Sequence, residues 1–565
     1  MRILTASDRA LLVEAADLDE AMRLNLAWAG TPGVVELIPG ARTVLVRFDP
    51  VLVDAASLAA VLSSTTVDAA DVPHVGEVTI PVRYDGEDLA DVAGLLGVSA
   101  DEVVARHLAA EWQVAFSGFA PGFGYTVGSD PLFDVPRRSS PRTRVPAGSV
   151  ALAGHFTGVY PRESPGGWQL IGRTDAVMWD IDRDPPALFS PGTLVRFERA
   201  EREIVSSSPG PERGAQRRDE GRSAPSTTAE QRDEGRPHSG TLEVLRPALQ
   251  LLVQDLGRPG HAALGVSASG AADRTAMRDA DRAVGNAPDA AVLELVGGAA
   301  LRYSGVPTVA AVAGAVGEMV LHAADGMERG IRPGAPFALD DGDELRLGHP
   351  VRGLRYAVAV RGGILSPPAL GSAASDTLAG LGPAPLAAGD VIAVGDPRTA
   401  PHPVDPEPLA RELPAAGETV ELRIVLGPRD DWFTADAIEA LTGQDWDVTP
   451  RSDRVGIRLH GATPLERAAE GELPSEGAVT GAIQVPPDGQ PVLFLPDHPL
   501  TGGYPIIGAV IDRDLDLAGQ LPPGARVRFR VEEHEDISSL ADPERGAQRR
   551  DEGRSTSDEG EGTPS

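Results

Sequence analysis

The sequence predicts a mainly β protein with some α+β character, in which a small α+β domain is followed by β-barrel-like domains. Gly (64) and Pro (50) are abundant and aromatic residues make up only 4% of the chain, a composition typical of short strands and many turns. Segments with strand-like alternation of apolar residues also outnumber segments with helical spacing. With 565 residues, the chain is long enough for several domains of about 150 residues each.

The first predicted domain, residues 1–73, combines helix and strand. Apolar residues recur with helical spacing from Asp17 to Ala29. The segment Thr43–Phe48 has the alternation of a half-buried strand, and the preceding Pro39-Gly40 predicts a turn. These two elements place the α+β domain before the barrel-like part of the chain.

The second predicted domain, residues 74–203, begins with a strand at 77–82. Ser99 and Glu102 then have the spacing of a capping box, in which two side chains satisfy free N–H groups at the start of a helix. The helix is expected to run to about Glu111. Short strands and turns fill the rest of this domain.

A polar segment separates the two halves of the chain. From Ser206 to Gly240 there are almost no large apolar side chains, so the segment buries too little surface to offset its ordering entropy. We therefore predict a disordered linker at 204–240 and a second half at 241–537 with two barrel-like subdomains. The string Pro211–Ser223 recurs in a predicted disordered tail at 538–565, as low-complexity sequence or, alternatively, as a docking tag.

A weaker repeat connects the ends of the two halves. Gly166–Gly172 resembles Gly502–Gly508, and each is followed by a Pro-Gly turn and a strand, at Ser190–Phe197 and Pro522–Phe529. Two matched blocks in the same order favour related domains over chance similarity in a Gly-rich chain.

Two residue types are absent from the sequence. Cys is 0 and no Lys occurs, so all 51 basic residues are Arg. This excludes a thiol nucleophile, a Schiff base, a PLP anchor, covalently attached biotin and a Walker A loop. Anion binding must therefore use Arg, backbone N–H groups or a metal ion.

The net charge of −32 disfavours a nucleic-acid partner. No apolar run approaches the roughly 18 residues that span a bilayer, so no membrane partner is expected. The N-terminus also lacks the apolar core of a signal peptide. A cytoplasmic location is therefore the default expectation.

Candidate catalytic and binding residues of the first half lie in three places. His107 and Glu111 are four residues apart on the predicted helix, as a general base and its orienting carboxylate would be, or as an ordinary surface ion pair. The loop Phe116–Tyr125 forms either a pocket wall or a packed barrel corner. Arg142 and Arg144 belong to an Arg cluster that either binds carboxylate or phosphate or pairs with the abundant acidic residues.

Polar residues beside Gly and Pro turns mark the candidates of the second half, and each is a weak signal alone because such residues are common in turns and caps. There is no GxSxG elbow, no HExxH site and no predicted metal-ligand set. The candidates are Asp255, Arg258, Ser269, Asp273, Arg454, Gln484 and Asp488.

Longer motifs give a resemblance to a known family. The first half contains Gly118-Phe119-x-Pro121-Gly122-Phe123, an Arg-rich run from Pro141 to Ser149, and Ser164–Thr174 with Ser164-Pro165-Gly166-Gly167-Trp168. These motifs resemble the B-type subunit of bacterial 5-oxoprolinase, also called allophanate hydrolase subunit 1.

Motifs of the second half resemble the C-type subunit of the same enzyme, or allophanate hydrolase subunit 2. They are Val253–Gly260, Ser269–Asp273, Ser452–Gly456, Gly481–Pro491 and Thr501–Pro505. Two subunits are therefore expected to be fused here, with the polar segment as the joint.

The resemblance implies cyclophilin-like β-barrels and a function. In this family a pair of B-type and C-type subunits works with a separate A-type subunit to hydrolyse 5-oxoproline, a small cyclic amide, with ATP and Mg²⁺. The implied partners are an A-type hydrolase protein and a small amide or urea-like substrate. The implied catalytic residues are His107, Glu111, Asp255 and Asp273; the implied substrate- or anion-binding residues are Arg142, Arg144, Ser164, Arg173, Arg258, Ser269, Arg454, Gln484, Asp488 and Thr501.

Two alternatives stay open within the same resemblance. Related domains form the carboxyltransferase part of urea carboxylase, which would use carboxybiotin from another chain, and a relative inhibits a histidine kinase. The sequence departs from the family pattern at Asp497–Thr501, which lacks an Arg and a Gln, and at Gly371–Ser375, which lacks an Arg. These departures favour a divergent branch of the family.

Overall fold

The computed structural model describes residues 1–67, 75–138, 140, 142–200, 238–408, 411–469, 471 and 473–532. The predicted tail and nearly all of the predicted linker lie outside these residues, as does the predicted boundary at residues 73 and 74. Only the last residues of the predicted linker are described, and His238 already begins a strand. The predicted class, mainly β with a small α+β domain, is confirmed.

The N-terminal domain is a four-stranded antiparallel sheet with two helices. The first helix lies within the segment 17–29 that has helical spacing, and it ends at Ala27; Asp17 caps it by accepting a hydrogen bond from the backbone N–H of Glu20. The strand order is β1-β2-β4-β3. The elements are β1 Arg2–Ser7, β2 Ala10–Glu14, α1 Leu18–Ala27, β3 Val34–Pro39, β4 Thr43–Phe48 and α2 Ala55–Ser64.

A seven-stranded sheet, here the first barrel, follows. Its order is β12-β9-β10-β7-β6-β13-β5, and two backbone hydrogen bonds between Arg83 and Arg173 join the ends of this path. Two further strands, β8 and β11, pair as a separate two-stranded sheet. The elements of this part of the chain are β5 Gly76–Val82, α3 Leu89–Leu96, α4 Ala100–Ala109, β6 Trp112–Ser117, β7 Gly124–Gly128, β8 Arg142–Val145, β9 Ser149–Ala153, β10 Phe156–Val159, β11 Ser164–Gly166, β12 Gln169–Arg173 and β13 Thr193–Arg199.

The second half begins with a ten-stranded sheet whose two longest strands, β18 and β21 below, pair along most of their length. Its one α-helix packs on these two strands through Met277 and neighbouring apolar residues. The elements are β14 His238–Arg246, β15 Gln250–Gln254, α5 Arg274–Val284, β16 Val292–Val296, β17 Ala299–Gly305, β18 Thr308–His322, β19 Glu328–Gly330, β20 Phe337–Leu339, β21 Glu344–Val360, β22 Ile364–Leu365 and β23 Val391–Gly395.

The last domain is a closed seven-stranded barrel, here the second barrel, with the order β24-β31-β28-β29-β26-β25-β32. Its core contains Trp446, Leu441 and Phe529. The short strands β27 and β30 pair with each other outside the barrel. The elements are β24 Thr419–Leu426, α6 Ala435–Gly443, β25 Trp446–Val448, β26 Gly456–His460, β27 Glu476–Gly477, β28 Ala482–Gln484, β29 Val492–Phe494, β30 Thr501–Gly502, β31 Ile506–Val510, α7 Asp512–Ala518 and β32 Arg526–Val531.

The two barrels have the same topology, which confirms the predicted relationship. In each, the first strand pairs in parallel with the last, and the remaining strands follow in the same order. In each, a Trp at the start of the strand after the helix donates its indole N–H, at 2.9 Å, to a helix carbonyl five residues earlier. The pairs are Trp112 with His107 and Trp446 with Leu441.

The N-terminal sheet lies between the two barrels and is apolar on both faces. Alternate residues of its strands point in opposite directions, so Leu4, Leu12 and Leu45 pack on the second barrel. Leu11, Val13 and Val44 belong to the core that includes the first barrel. Residues far apart in sequence are therefore held together where the two halves meet.

Candidate functional site

His107 lies in the core of the first barrel. Its side chain is fully buried among Tyr84, Trp112 and Phe197. Both ring nitrogens have protein partners, the Tyr84 hydroxyl at 2.9 Å and the Thr157 hydroxyl at 3.1 Å. Burial lowers the pKa of His107 to about 3, so the ring is neutral near pH 7, and none of its surface is exposed to solvent.

The predicted pairing of His107 with Glu111 on one helix face is wrong, because α4 ends at Ala109. Glu111 is exposed, and its backbone N–H donates to the Ser129 hydroxyl. The predicted cap at Ser99 is present, since its side chain accepts from the N–H of Glu102. The geometry gives no support to an acid–base role for His107 and Glu111.

The Arg cluster of the first half is paired with acids. Arg142 donates to both carboxylate oxygens of Asp88, at 2.8 and 2.9 Å, and Arg138 donates to the same group at 2.6 Å. Burial would raise the pKa of Asp88, but hydrogen bonds from Arg142 and from the Leu170 N–H lower it. Arg142 therefore stabilises the fold through a buried carboxylate.

The other predicted anion-binding residues of this half are not gathered into one site. Arg144 pairs with Glu163 and Arg173 pairs with Asp85, both on the exposed surface. Ser164 lies in β11, and its buried hydroxyl has no hydrogen-bond partner among the described residues. The interpretation of this cluster as acid-paired surface therefore fits the structure better than an open anion site.

Three predicted residues of the second half lie in separate places, each with contacts of its own. Asp273 caps α5, accepts from Arg411 and Gln520, and has its pKa raised by burial. Asp488 is exposed in a turn, where it accepts from the N–H of Gln490. Gln484 is buried beside the β30 ladder.

Thr501 joins the two halves. Its hydroxyl accepts from the backbone N–H of Phe119 at 3.1 Å and lies 3.3 Å from the hydroxyl of Tyr125. A Cβ on Gly118 would collide with the Thr501 side chain, so only glycine permits this close approach. The aromatic loop predicted as a pocket wall or a barrel corner thus packs against the opposite half.

Four predicted residues do converge, in a group here called the polar junction: the partly buried Asp255 and Ser269 and the buried Arg258 and Arg454, together with the buried Asp376 and Asp497. Arg454 is completely buried and donates to both carboxylate oxygens of Asp497, each at 3.0 Å, and to Glu294. Burial would raise the pKa of Asp497, but the charge of Arg454 lowers it. The ion pair of Arg454 with Glu294, which lies in β16, joins the second barrel to the ten-stranded sheet.

Arg258 and Asp255 organise the segment 369–374, which follows β22. Arg258 is 2% exposed and donates to the carbonyls of Ala369 and Ala374, while its Nη1 has no partner among the described residues. Asp255 accepts from the Ser372 hydroxyl at 2.6 Å and from the Ala373 N–H at 2.7 Å. The segment is therefore fixed by two residues of one sequence motif.

Asp376 is the carboxyl group of the polar junction whose pKa is raised. Burial and the nearby charge of Asp497 raise the pKa of Asp376 to about 6, even though the Ser267 hydroxyl donates to it at 3.1 Å. A carboxyl group with this pKa can exchange a proton near neutral pH, as acid–base chemistry requires.

Ser269 links the polar junction to a cavity of about 230 Å³. Its hydroxyl donates to Asp497 at 2.6 Å, and its backbone has a φ of 52°, which is uncommon for a residue with a side chain. The cavity lies where the N-terminal sheet, the ten-stranded sheet and the second barrel meet. Arg9 and Arg274, both paired with Asp512, also line it.

The expected Mg²⁺ has no preformed protein site in the described part of the chain, where no three His, Asp or Glu side chains are grouped to hold a metal. None of the helices within the described ranges is long and apolar enough to cross a membrane. The cytoplasmic location stays a prediction.

Sequence reasoning missed Asp376 and did not choose Asp497. Asp497 lies beside the Thr501 motif, and Asp376 directly follows the motif Gly371–Ser375. Their positions in or beside motifs that depart from the family pattern were the available signal. No local spacing predicts that Asp497 contacts Arg454 and Ser269, or that Asp376 lies close enough to Asp497 for the two charges to interact.

Comparison with known families matches both halves. Residues 1–189 match the model "Carboxyltransferase domain, subdomain C and D", and residues 264–531 match "Carboxyltransferase domain, subdomain A and B". Fold and sequence thus define a carboxyltransferase-domain protein.

Individual relatives are more specific. The chain is 40% identical over 190 residues to the B-type subunit of 5-oxoprolinase from Escherichia coli O157:H7, covering 33% of this chain and 87% of that protein. It is 31% identical over 291 residues to the C-type subunit of 5-oxoprolinase from Escherichia coli K12, covering 51% of this chain and 90% of that protein. The crystal structure of TTHA0988 in space group P212121 is similar across both halves, with 34% identity, a TM-score of 0.75 and coverage of 92% and 99%. The chain belongs to the family of B-type and C-type 5-oxoprolinase subunits, with both regions on one polypeptide.

Proposed function

We propose that this protein is one component of an ATP-dependent 5-oxoprolinase-type amidohydrolase. It would activate the cyclic amide of 5-oxoproline for hydrolysis by a separate protein of the A type. The observation that carries this proposal is the half-by-half similarity to the B-type and C-type subunits of 5-oxoprolinase. The apolar contact between the halves supports it, because a B-type and a C-type subunit that work as a pair would share such a surface.

ATP would supply the energy for the reaction. A lactam is stabilised by resonance and reacts poorly with water, and transfer of a phosphoryl group to its oxygen would create a good leaving group. Mg²⁺ would accompany the nucleotide and reduce its charge.

We assign the substrate amide to the cavity beside the polar junction. Because Ser269 donates its proton to Asp497, the oxygen of Ser269 retains lone pairs that can accept a hydrogen bond from an amide N–H. Asp376 is buried and does not line this cavity, but its raised pKa suits it to proton transfer, and its charge interacts with that of Asp497, which accepts the hydrogen bond from Ser269. Arg258 acts behind them by fixing the 369–374 segment.

The test combines the purified full chain with an A-type homologue, ATP and 5-oxoproline, and measures glutamate and phosphate. We expect both products in equal amounts. Ser269→Ala should lower kcat/KM at least tenfold, since it removes the hydroxyl on the cavity wall. Ser64→Ala, on the exposed surface of α2, is the matched control. A folded pair without turnover would contradict the proposed reaction.

The second candidate is carboxyl transfer, and the descriptions of both matching family models favour it. The chain has no Lys, so the carboxybiotin would have to come from another protein. Loss of labelled carboxylate from a carboxybiotin carrier to urea, in the presence of this chain, would support this candidate over the hydrolase component.

A further inference from the structure

A second concave site lies at the opposite end of strands β2 and β4 from the Ser269 cavity. This cleft of about 700 Å³ has a size typical of small-molecule sites. Its lining comes from the start of α1, the β3–β4 turn, the β9–β10 hairpin and the segment before β27. Three domains therefore build it, and it contains none of the residues of the polar junction.

Two arginines of the cleft have no acidic partner among the described residues. Arg42 is exposed, and its guanidinium makes no hydrogen bond or ion pair within the described ranges. Arg137 donates only to the hydroxyl of Ser475, at 2.9 Å. In contrast, its neighbour Arg138 is held by Asp88. The guanidinium groups of Arg42 and Arg137 are therefore suited to carboxylate binding.

Arg137 is held in position by contacts across the domains. Ser475 receives its hydrogen bond and donates to the hydroxyl of Tyr125 at 3.4 Å, while the carbonyl of Ser475 accepts from the Ala41 N–H at 2.8 Å. A Cβ on Gly503 would collide with Nη1 of Arg137. Each of the three domains thus contributes to the position of this guanidinium group.

Acidic groups also line the cleft. Asp17 uses one carboxylate oxygen to cap α1, and Asp19 lies in the first turn of the same helix. A simple anion such as phosphate would be repelled by these two charges, whereas a molecule with both a carboxylate and an ammonium group satisfies both sets. Phe156 and Leu18 provide apolar wall between them.

We propose that this cleft binds a free α-amino acid, with its carboxylate on Arg42 and Arg137 and its ammonium group on Asp17 and Asp19. The site is distinct from the Ser269 cavity and does not depend on the proposed reaction. Glutamate is the best probe, because its two carboxylates can share the donors of Arg42 and Arg137. Compounds without an ammonium group, such as 5-oxoproline, should bind more weakly.

Titration calorimetry on the full chain tests the proposal with glutamate and 5-oxoproline. We expect glutamate to bind, and Arg42→Gln and Arg137→Gln each to raise its Kd about tenfold. Asp17→Asn should also weaken binding while it preserves the cap, since Asn caps helices as well as Asp. Arg329→Gln, an equal loss of charge on exposed β19, should have no effect.

The outcomes separate this site from the catalytic proposal. Unchanged glutamate binding in Ser269→Ala supports a separate cleft. If Ser269→Ala instead loses glutamate binding while Arg42→Gln retains it, glutamate binds in the Ser269 cavity and the proposal is overturned. Absence of glutamate binding, or binding of 5-oxoproline alone, would also overturn it. Failure of the reconstituted turnover would leave these binding results intact.

Discussion

The two barrels share a topology but use equivalent positions differently. His107 and Leu441 both lie five residues before the core Trp, and both accept its indole N–H through their carbonyls. In the first barrel the side chain at this position is a buried histidine, and in the second it is a leucine. The backbone carbonyl at this position therefore accepts the indole N–H in both barrels, while the side chain at the same position differs with the packing of each core.

The loops after the Trp strands also differ. In the first barrel this loop uses Gly118 and Phe119 to approach Thr501 of the other half. In the second barrel the corresponding loop carries Arg454, which enters the polar junction. One barrel therefore attaches to its neighbours by close backbone packing, and the other attaches by a buried ion pair.

The largest expected effect comes from removing that ion pair. Arg454→Met should destabilise the protein by about 3–5 kcal/mol, because Asp497 and Glu294 would be left buried without their cation. Urea denaturation monitored by Trp fluorescence measures this. Arg458→Met, on the exposed side of β26, is the control and should change the free energy of unfolding little. Equal effects of the two variants would contradict the assigned role of Arg454.

A smaller loss is expected when the second barrel receives the residue of the first. Leu441→His should cost about 2–3 kcal/mol, because the new ring is buried without the hydroxyl partners that Tyr84 and Thr157 provide to His107. Thermal denaturation of the variant checks this value. A neutral result would mean that the second core adapts to a polar ring, and the comparison of the two positions would fail.

The reverse change should have a modest cost and a distinct pH dependence. His107→Leu leaves two hydroxyls without their ring partner, which costs about 1–2 kcal/mol at pH 7. The pKa of His107 is about 3 in the folded protein, below its ordinary value of 6.5, so the unfolded chain binds more protons between these values. Wild-type stability should therefore fall by about 2 kcal/mol from pH 7 to pH 5 through this group, and the variant should lack this loss.

Activity gives a second measurement for the same variant. If His107 only fills the core, the reconstituted reaction keeps its kcat within a few-fold in His107→Leu. A fall in kcat of more than about a hundredfold, as expected for a lost general base, would restore the original acid–base prediction.

The smallest expected effect is that of cutting the chain between the halves. With a protease site inserted near residue 220, cleavage should leave residues 1–200 and 238–532 in one complex, because their contact buries the apolar face of the N-terminal sheet. Size-exclusion chromatography of the cut protein checks this. Separation into two species would show that the covalent joint, and not this packing, holds the halves together.

Sequence patterns predicted the fold better than the site. Periodicity and caps indicated the strand Thr43–Phe48 and the helix starts at Asp17 and Ser99, since these depend on neighbours in sequence. The repeat of Gly166–Gly172 and Gly502–Gly508 correctly indicated two related barrels. These features depend on residues that are close in sequence, so they can be predicted from one sequence alone.

The site depends on contacts between distant residues. Histidine is a residue type common in catalytic sites, but the packing of Trp112 and Phe197 around His107 shows that its side chain belongs to the hydrophobic core. Arg142 lies in an Arg-rich segment typical of an anion-binding site, yet its N–H donors are bound to Asp88, more than fifty residues earlier in the sequence. In a chain with as many acidic residues as this one, the availability of an arginine is decided by tertiary structure.

The N-terminal sheet has a consequence for how this protein is made. Because its two faces are covered by different barrels, neither half produced alone can hide all of its apolar surface. A single polypeptide supplies the two halves in a strict one-to-one ratio and keeps them tethered to each other. The cell therefore has no orphan half to remove, and selection can allow the contact surface between them to become as apolar as a domain interior.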